Sequence, residues 1–204
     1  MIDSTSSQVM PSVGARAPRS SSQMSNIFQG RTILFVDDES SVRFYLSEVI
    51  LAISEGVNVL EAENGQQALE IVTRTKPDLV FLDIHMPVMT GYEFLQRFRE
   101  DPANAAIPVL VLTALASTDT AIEVFESGGD GFLAKPVNRL EVLARAQALL
   151  RRREHDEILN RKIDQLESDL ETSLKSIHSL RLAIKLRYGS DELEELLAEM
   201  TKGS

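Results

Sequence analysis

A chain of 204 residues allows one ordinary domain with extensions or two small ones, and 43% hydrophobic residues are enough to fill a core. The absence of cysteine excludes disulfide scaffolds, thiolate zinc sites and cysteine nucleophiles, while a formal net charge of -10 argues against nucleic acid as a partner of the whole chain, because phosphate binding needs a basic surface. No apolar run approaches the roughly 20 residues that span a bilayer, and the N-terminus lacks the apolar core of a secretory signal, so the expectation is a soluble, cytoplasmic protein with no membrane contact.

Residues 1–29 are rich in serine, with Pro11, Gly14 and Pro18 interspersed and little apolar periodicity. Such a segment cannot bury enough surface to offset its ordering entropy, and it reads as a disordered tail. From Arg31 the pattern changes. Short apolar runs at 32–36, 57–62, 79–82, 109–112 and 131–134 suit strands buried on both faces. Amphipathic stretches at 40–53, 65–75, 91–99 and 118–127 lie between them, and a fifth helix begins near Asn138. Strand and helix alternating in this way predict an α/β fold, a doubly wound five-stranded parallel sheet, over residues 30–150. The turn chemistry agrees: Pro77 follows the second helix, Pro108 opens the fourth strand and Gly128-Gly129 ends the fourth helix.

The fifth helix does not stop where the domain should. After the basic cluster Arg151, Arg152 and Arg153, apolar residues recur at alternating four- and three-residue steps: Leu159, Ile163, Leu166, Leu170, Ile177, Leu180 and Ile184, with Ser173 in one layer. Ile163, Leu170, Ile177 and Ile184 then occupy a positions and Leu159, Leu166 and Leu180 occupy d positions. Mostly isoleucine at a with leucine at d favours a parallel two-stranded coiled coil, expected over residues 151–188. The competing reading is a helix folded back on its own domain. Gly189 is expected to close the helix, and residues 189–204 read as a short acidic amphipathic helix and tail. His155 and His178 lack spaced partner ligands and read as solvated, as does the arginine cluster.

Polar residues stand where the apolar strands run out: Asp37 and Asp38, Asp83, Thr113 and Lys135. In a parallel sheet those ends converge on one crevice. Carboxylates about 4 Å apart repel by roughly 1 kcal/mol in water and about 4 near a protein surface. A hard divalent cation relieves this, and oxygen-only ligands favour Mg²⁺, which keeps waters and also binds phosphate oxygens. Lys135 and Thr113 would add an ammonium and a hydroxyl for the phosphoryl oxygens, leaving Asp83 as an already ionised nucleophile. Taken alone, Asp37 and Asp38 could equally cap the helix that follows.

Four stretches in this order carry a family resemblance: Phe35-Val36-Asp37-Asp38-Glu39; Leu82-Asp83-Ile84-His85-Met86-Pro87-Val88-Met89-Thr90-Gly91; Leu112-Thr113-Ala114; and Lys135-Pro136. The chain resembles the receiver domain of two-component response regulators. The resemblance implies a flavodoxin-like receiver fold. It also implies Mg²⁺ held by Asp37, Asp38, Asp83 and the backbone carbonyl of His85, and transfer to Asp83 from a phosphohistidine of a histidine kinase or phosphotransfer protein. Thr113 and Lys135 would contact the phosphoryl group, and Phe132 would be a switch residue moving with Thr113. By the same resemblance, the side chains of His85 and Leu115 flank the path of the water that hydrolyses the phosphoaspartate.

The function expected is therefore a phosphoaspartate switch, with no enzymatic activity beyond self-phosphorylation and autodephosphorylation. It would signal through a coiled-coil homodimer to a downstream protein without direct DNA binding, since residues after Leu150 lack the pattern of a helix-turn-helix domain. The alternative is the regulatory fragment of a longer enzyme, such as a cyclic-dinucleotide synthase or hydrolase. An independent Mg²⁺-dependent hydrolase ranks below both.

Overall fold

The computed structural model describes residues 27–114 and 118–188. The expectations for residues 1–26, Leu115, Gly189 and the acidic segment 191–200 fall outside the described residues. The chain divides into two units, one ending at Arg151 and the other beginning at Arg152.

In the first unit, β1 (Thr32–Val36), β2 (Asn58–Ala62), β3 (Leu79–Asp83), β4 (Val109–Thr113) and β5 (Gly131–Ala134) form one parallel sheet in the order β2-β1-β3-β4-β5. Between them run α1 (Ser40–Leu51), α2 (Gly65–Arg74), α3 (Gly91–Glu100), a 3₁₀ turn (Pro102–Asn104) and α4 (Thr118–Glu126), with α5 (Arg139–Tyr188) last. This is the doubly wound α/β fold expected from the alternation of runs.

Period-two alternation divides each central strand between two cores. Leu34, Val36, Val80, Leu82, Val109 and Val111 face one side, where they meet Ala68 and Val72 of α2, Phe94, Leu95 and Phe98 of α3, and Val124 of α4. Ile33, Phe35, Leu79, Phe81, Leu110 and Leu112 face the other, against Leu46, Val49 and Ile50 of α1 and Val142, Leu143, Ala146 and Leu150 of α5. Helices thus cover both faces, as right-handed crossovers require.

The domain begins earlier than the composition of the tail suggested. Phe28, assigned to the disordered stretch 1–29, is fully buried in the second core, and Ile27 packs beside it. Residues 27–30 form a turn in which Arg31 N donates to Phe28 O at 3.1 Å. A composition window averages over one phenylalanine whose burial stabilises by about 1.5–3 kcal/mol.

The helix ends follow local chemistry. The Asn64 side chain caps α2 by accepting from Gln67 N at 3.0 Å, and Thr90 and Glu93 form a reciprocal capping box on α3. Gly128, with φ 95°, takes the left-handed conformation that lets Gly129 N return to Val124 O at 2.9 Å after α4.

In the second unit α5 is helical through Tyr188, and Leu159, Ile163, Leu166, Leu170, Ile177 and Leu180 are all exposed. Ile158, Leu174, Leu182 and Leu186 add exposed apolar surface outside the heptad seam. Ser173 donates its hydroxyl to Asp169 O one turn back at 2.9 Å. Its polar atom is therefore satisfied within its own helix.

Candidate functional site

β1 and β3 are neighbours in the sheet, and the connections that leave them run to opposite sides of it. Their carboxyl ends therefore open a crevice between diverging connections, which is where ligands bind in such sheets. Asp37 follows β1 directly, and Asp83 is the last residue of β3. Asp37, Asp38 and Asp83 each bring one carboxylate oxygen to within 4.8 Å of the others. Asp37 and Asp83 are buried and Asp38 is exposed, so the cluster has one open side.

Lys135, the residue after β5, reaches into the cluster. Its Nζ lies 2.7 Å from Asp83 Oδ1, 2.8 Å from Asp37 Oδ2 and 3.7 Å from Glu39 Oε1. Its backbone N–H donates to Thr113 O at 2.8 Å, which ties the end of β5 to the end of β4. Thr113 is 2% exposed, and the register of β3 on β4 pairs Asp83 with Leu112, one residue before it. Phe132 lies further back along β5, opposite Val111, and meets Phe125 of α4 edge-on with ring centroids 6.4 Å apart.

Burial pushes the Asp83 carboxyl above its ordinary range and Asp37 adds to the rise, while the contact with Lys135 opposes it. Burial by itself would lower the Lys135 ammonium, but its contacts with Asp37 and Asp83 outweigh that and raise it. An ionised Asp83 consequently costs more in the folded chain than in the unfolded one. Without metal, folding stability should fall as pH rises from below the ordinary carboxylate range through the raised pKa of Asp83. Asp83→Asn removes this dependence. The variant should match the wild type in acid and exceed it near neutrality. Urea unfolding in EDTA at several pH values measures the difference, and a variant less stable at neutral pH would refute it.

The residues fit a hard cation. All donors are oxygens, and the Lys135 ammonium contacts Asp37 and Asp83 while the cluster holds a third, exposed carboxylate on Asp38. Asp37 Oδ1 is occupied by Glu39 N at 3.0 Å, and Asp83 Oδ2 by His85 N at 2.8 Å. The helix-capping alternative for Asp37 and Asp38 is not what the structure contains, because the N-cap of α1 is Glu39 and it makes no side-chain capping bond. The His85 side chain is exposed.

With this geometry in view, comparison with known proteins is specific: the family profile of the response regulator receiver domain matches residues 33–147. The chain belongs to the response regulator receiver family. The receiver is 41% identical over 123 residues to the phosphate regulon transcriptional regulatory protein PhoB of Pseudomonas aeruginosa, covering 60% of this chain and 53% of that protein. It is 38% identical over 135 residues to the DNA-binding dual master transcriptional regulator RpaA of Synechocystis, covering 63% of this chain and 55% of that one. Among solved structures, the chemotaxis protein CheY4 of Vibrio cholerae superposes with a TM-score of 0.55 at 32% identity, covering 58% of this chain and 98% of that one. The chain spans about half the length of the curated relatives it matches.

Two features of the receiver site escaped the sequence reading. Val88, 82% exposed in the loop after β3, has φ 68°, a left-handed conformation costing a β-branched residue about 1–2 kcal/mol. Arg43 is buried on α1 and bonds the backbone beneath Asp37 and Asp38. Its signal was available: Arg43 shares the buried stripe of Leu46, Ser47 and Ile50 at helical spacing, where a charge needs partners.

Proposed function

We propose that the chain is a phosphoaspartate switch in which Asp83 accepts a phosphoryl group from a phosphohistidine of a histidine kinase or phosphotransfer protein. The observation carrying this reading is the meeting of Asp37, Asp38, Asp83 and Lys135 at the carboxyl edge of the sheet. The Asp83 carboxylate attacks phosphorus as the P–N bond breaks, and the departing imidazole takes its proton from water. Lys135 exchanges part of its contact with Asp37 and Asp83 for a phosphoryl oxygen, and the Thr113 hydroxyl donates to another. Asp37, Asp38, Asp83 and the His85 carbonyl would hold Mg²⁺, which when bound screens the carboxylates from the incoming phosphoryl oxygens. Phe132, half-buried against Phe125, is the residue that would move as Thr113 is drawn toward the phosphoryl group.

The test is intact mass after incubation with acetyl phosphate. Wild type should gain one phosphoryl group in Mg²⁺ and none in EDTA, and Asp83→Asn should gain none in either. An adduct retained by Asp83→Asn, or none on wild type while a control receiver is labelled, would reject the assignment.

For the output we propose a cytoplasmic parallel homodimer through residues 151–188 that engages a downstream protein rather than DNA. The exposed seam from Leu159 to Leu180 and the net charge of -10 support this reading. Ser173, the polar residue in the seam, limits the strength of pairing. Ser173→Leu should tighten the dimer at least tenfold, since burying a leucine contributes about 1.5–3 kcal/mol. Analytical ultracentrifugation decides: a wild type and variant both monomeric at high micromolar concentration would remove the dimer.

A further inference from the structure

Arg43 is a charged residue 7% exposed, and one side of its guanidinium bonds the backbone that carries two residues of the acidic cluster. Its Nη1 donates to Asp37 O at 2.7 Å and to Asp38 O at 3.4 Å. On its other side Nε donates to Glu61 Oε2 at 3.0 Å, and Nη2 lies 3.5 Å from Glu63 Oε1. Ser47, one turn further along α1, donates to Glu61 Oε1 at 3.5 Å and steadies that carboxylate. Glu61 lies on β2, whose Ala62 pairs with Val36, and Asp37 N donates to Ala62 O at 3.1 Å. The guanidinium therefore spans the gap between the ends of β1 and β2 and ties the loop after β1 to β2.

We infer that Arg43 is a positioning residue for the divalent cation, fixing the Asp37 and Asp38 backbone so that their carboxylates are preorganised. Asp38 most needs it. Its side chain is exposed, so its placement depends on the peptide that Arg43 grips. Two contrary effects can be ranked. The positive charge of Arg43 opposes a cation, but Glu61 and Glu63 largely neutralise it, whereas Nη1 reaches two successive carbonyls while Nε holds Glu61. Loss of the brace outweighs relief of the charge. A lysine retains charge and can reach one carbonyl, but it cannot bridge to Glu61 at the same time.

The inference rests on the metal assignment proposed above, and the experiment separates the two. Mg²⁺ affinity of the full chain is measured by calorimetry for wild type, Asp38→Asn, Arg43→Gln, Arg43→Lys and Glu61→Gln. Circular dichroism in EDTA establishes that each is folded. Arg43→Gln should bind about tenfold more weakly, equivalent to about 1.4 kcal/mol, with Arg43→Lys intermediate and Glu61→Gln weakened less. Wild type that binds no Mg²⁺, or Asp38→Asn that binds as wild type does, rejects the metal assignment itself. Wild-type affinity in folded Arg43→Gln overturns the positioning role alone. Should Arg43→Gln not fold, Glu61→Gln decides in its place, because it weakens the charge-assisted bond to Arg43 Nε without removing the guanidinium, and unchanged affinity there overturns the inference equally. The order of Arg43→Lys between wild type and Arg43→Gln is a readout that general destabilisation does not produce.

Discussion

Gly91→Ala is expected to lower stability by about 3 kcal/mol and to slow phosphoryl transfer to Asp83 at least tenfold, because backbone rather than side chain stands in the way. A Cβ on Gly91 would overlap the Asp83 carbonyl oxygen and would lie 2.9 Å from Ile84 Cα. Neither atom can rotate aside. Gly91 also opens α3 and donates its N–H to Ile84 O at 2.9 Å, so the substitution pushes the start of that helix away from the end of β3. The strand end carries the nucleophile, and a displacement there changes its distance to Lys135 and to the acidic pair. Thermal unfolding and the rate of adduct formation in acetyl phosphate, measured where the variant is still folded, test both halves. A variant with wild-type melting and wild-type labelling would show that the contact yields without consequence.

The opposite edge of the sheet holds the second large effect. Arg99 of α3 donates from Nε to Gly128 O at 3.0 Å and from Nη1 to Asn104 O and Ile107 O, each at 2.8 Å. Its Nη2 pairs with Asp130 Oδ2 at 2.8 Å. The same Asp130 oxygen accepts from Val109 N at 2.9 Å, so one guanidinium joins α3, the 3₁₀ turn, the start of β4 and the turn after α4. Arg99→Met keeps the aliphatic stem and removes every bond, leaving three carbonyls and a carboxylate short of donors. The expected loss is about 3 kcal/mol, discounted from a fully buried pair because the Arg99 and Asp130 side chains are 20% and 30% exposed. Melting should fall by about 10 °C for a domain of this size. Labelling of Asp83 per folded molecule should be unchanged, since the network lies at the amino ends of the strands. A fall in stability below about 1 kcal/mol would mean that water replaces these bonds at little cost.

Residues with a fixed local consequence were legible in the chain. Apolar runs such as Leu79 to Leu82 announce strands buried on both faces, and Gly128 marks a helix end, because left-handed backbone depends on neighbours within four residues. The candidate site was legible for the same reason. Asp37, Asp38, Asp83, Thr113 and Lys135 each terminate a run, and a parallel sheet brings run ends together whatever fills its core. Where a single side chain finds distant partners, local reasoning stopped. Phe28 looks like part of a polar tail until it is found fully buried in the core that α1 and α5 also line.

Residue order along the chain is enough to specify the alternation that makes a doubly wound sheet, the acids and the lysine at its carboxyl edge, and the heptad spacing after Arg151. Which partners the long cations meet is a property of the folded chain. Arg43 and Arg99 carry flexible stems whose endpoints include groups far along the chain, the Glu61 carboxylate for one, the Gly128 carbonyl and the Asp130 carboxylate for the other. The fold likewise places Lys135 between Asp37 and Asp83. Spacing along a chain encodes which face or strand end a residue occupies, but an ion pair is settled by distances of a few ångströms that exist only after the strands have been laid side by side.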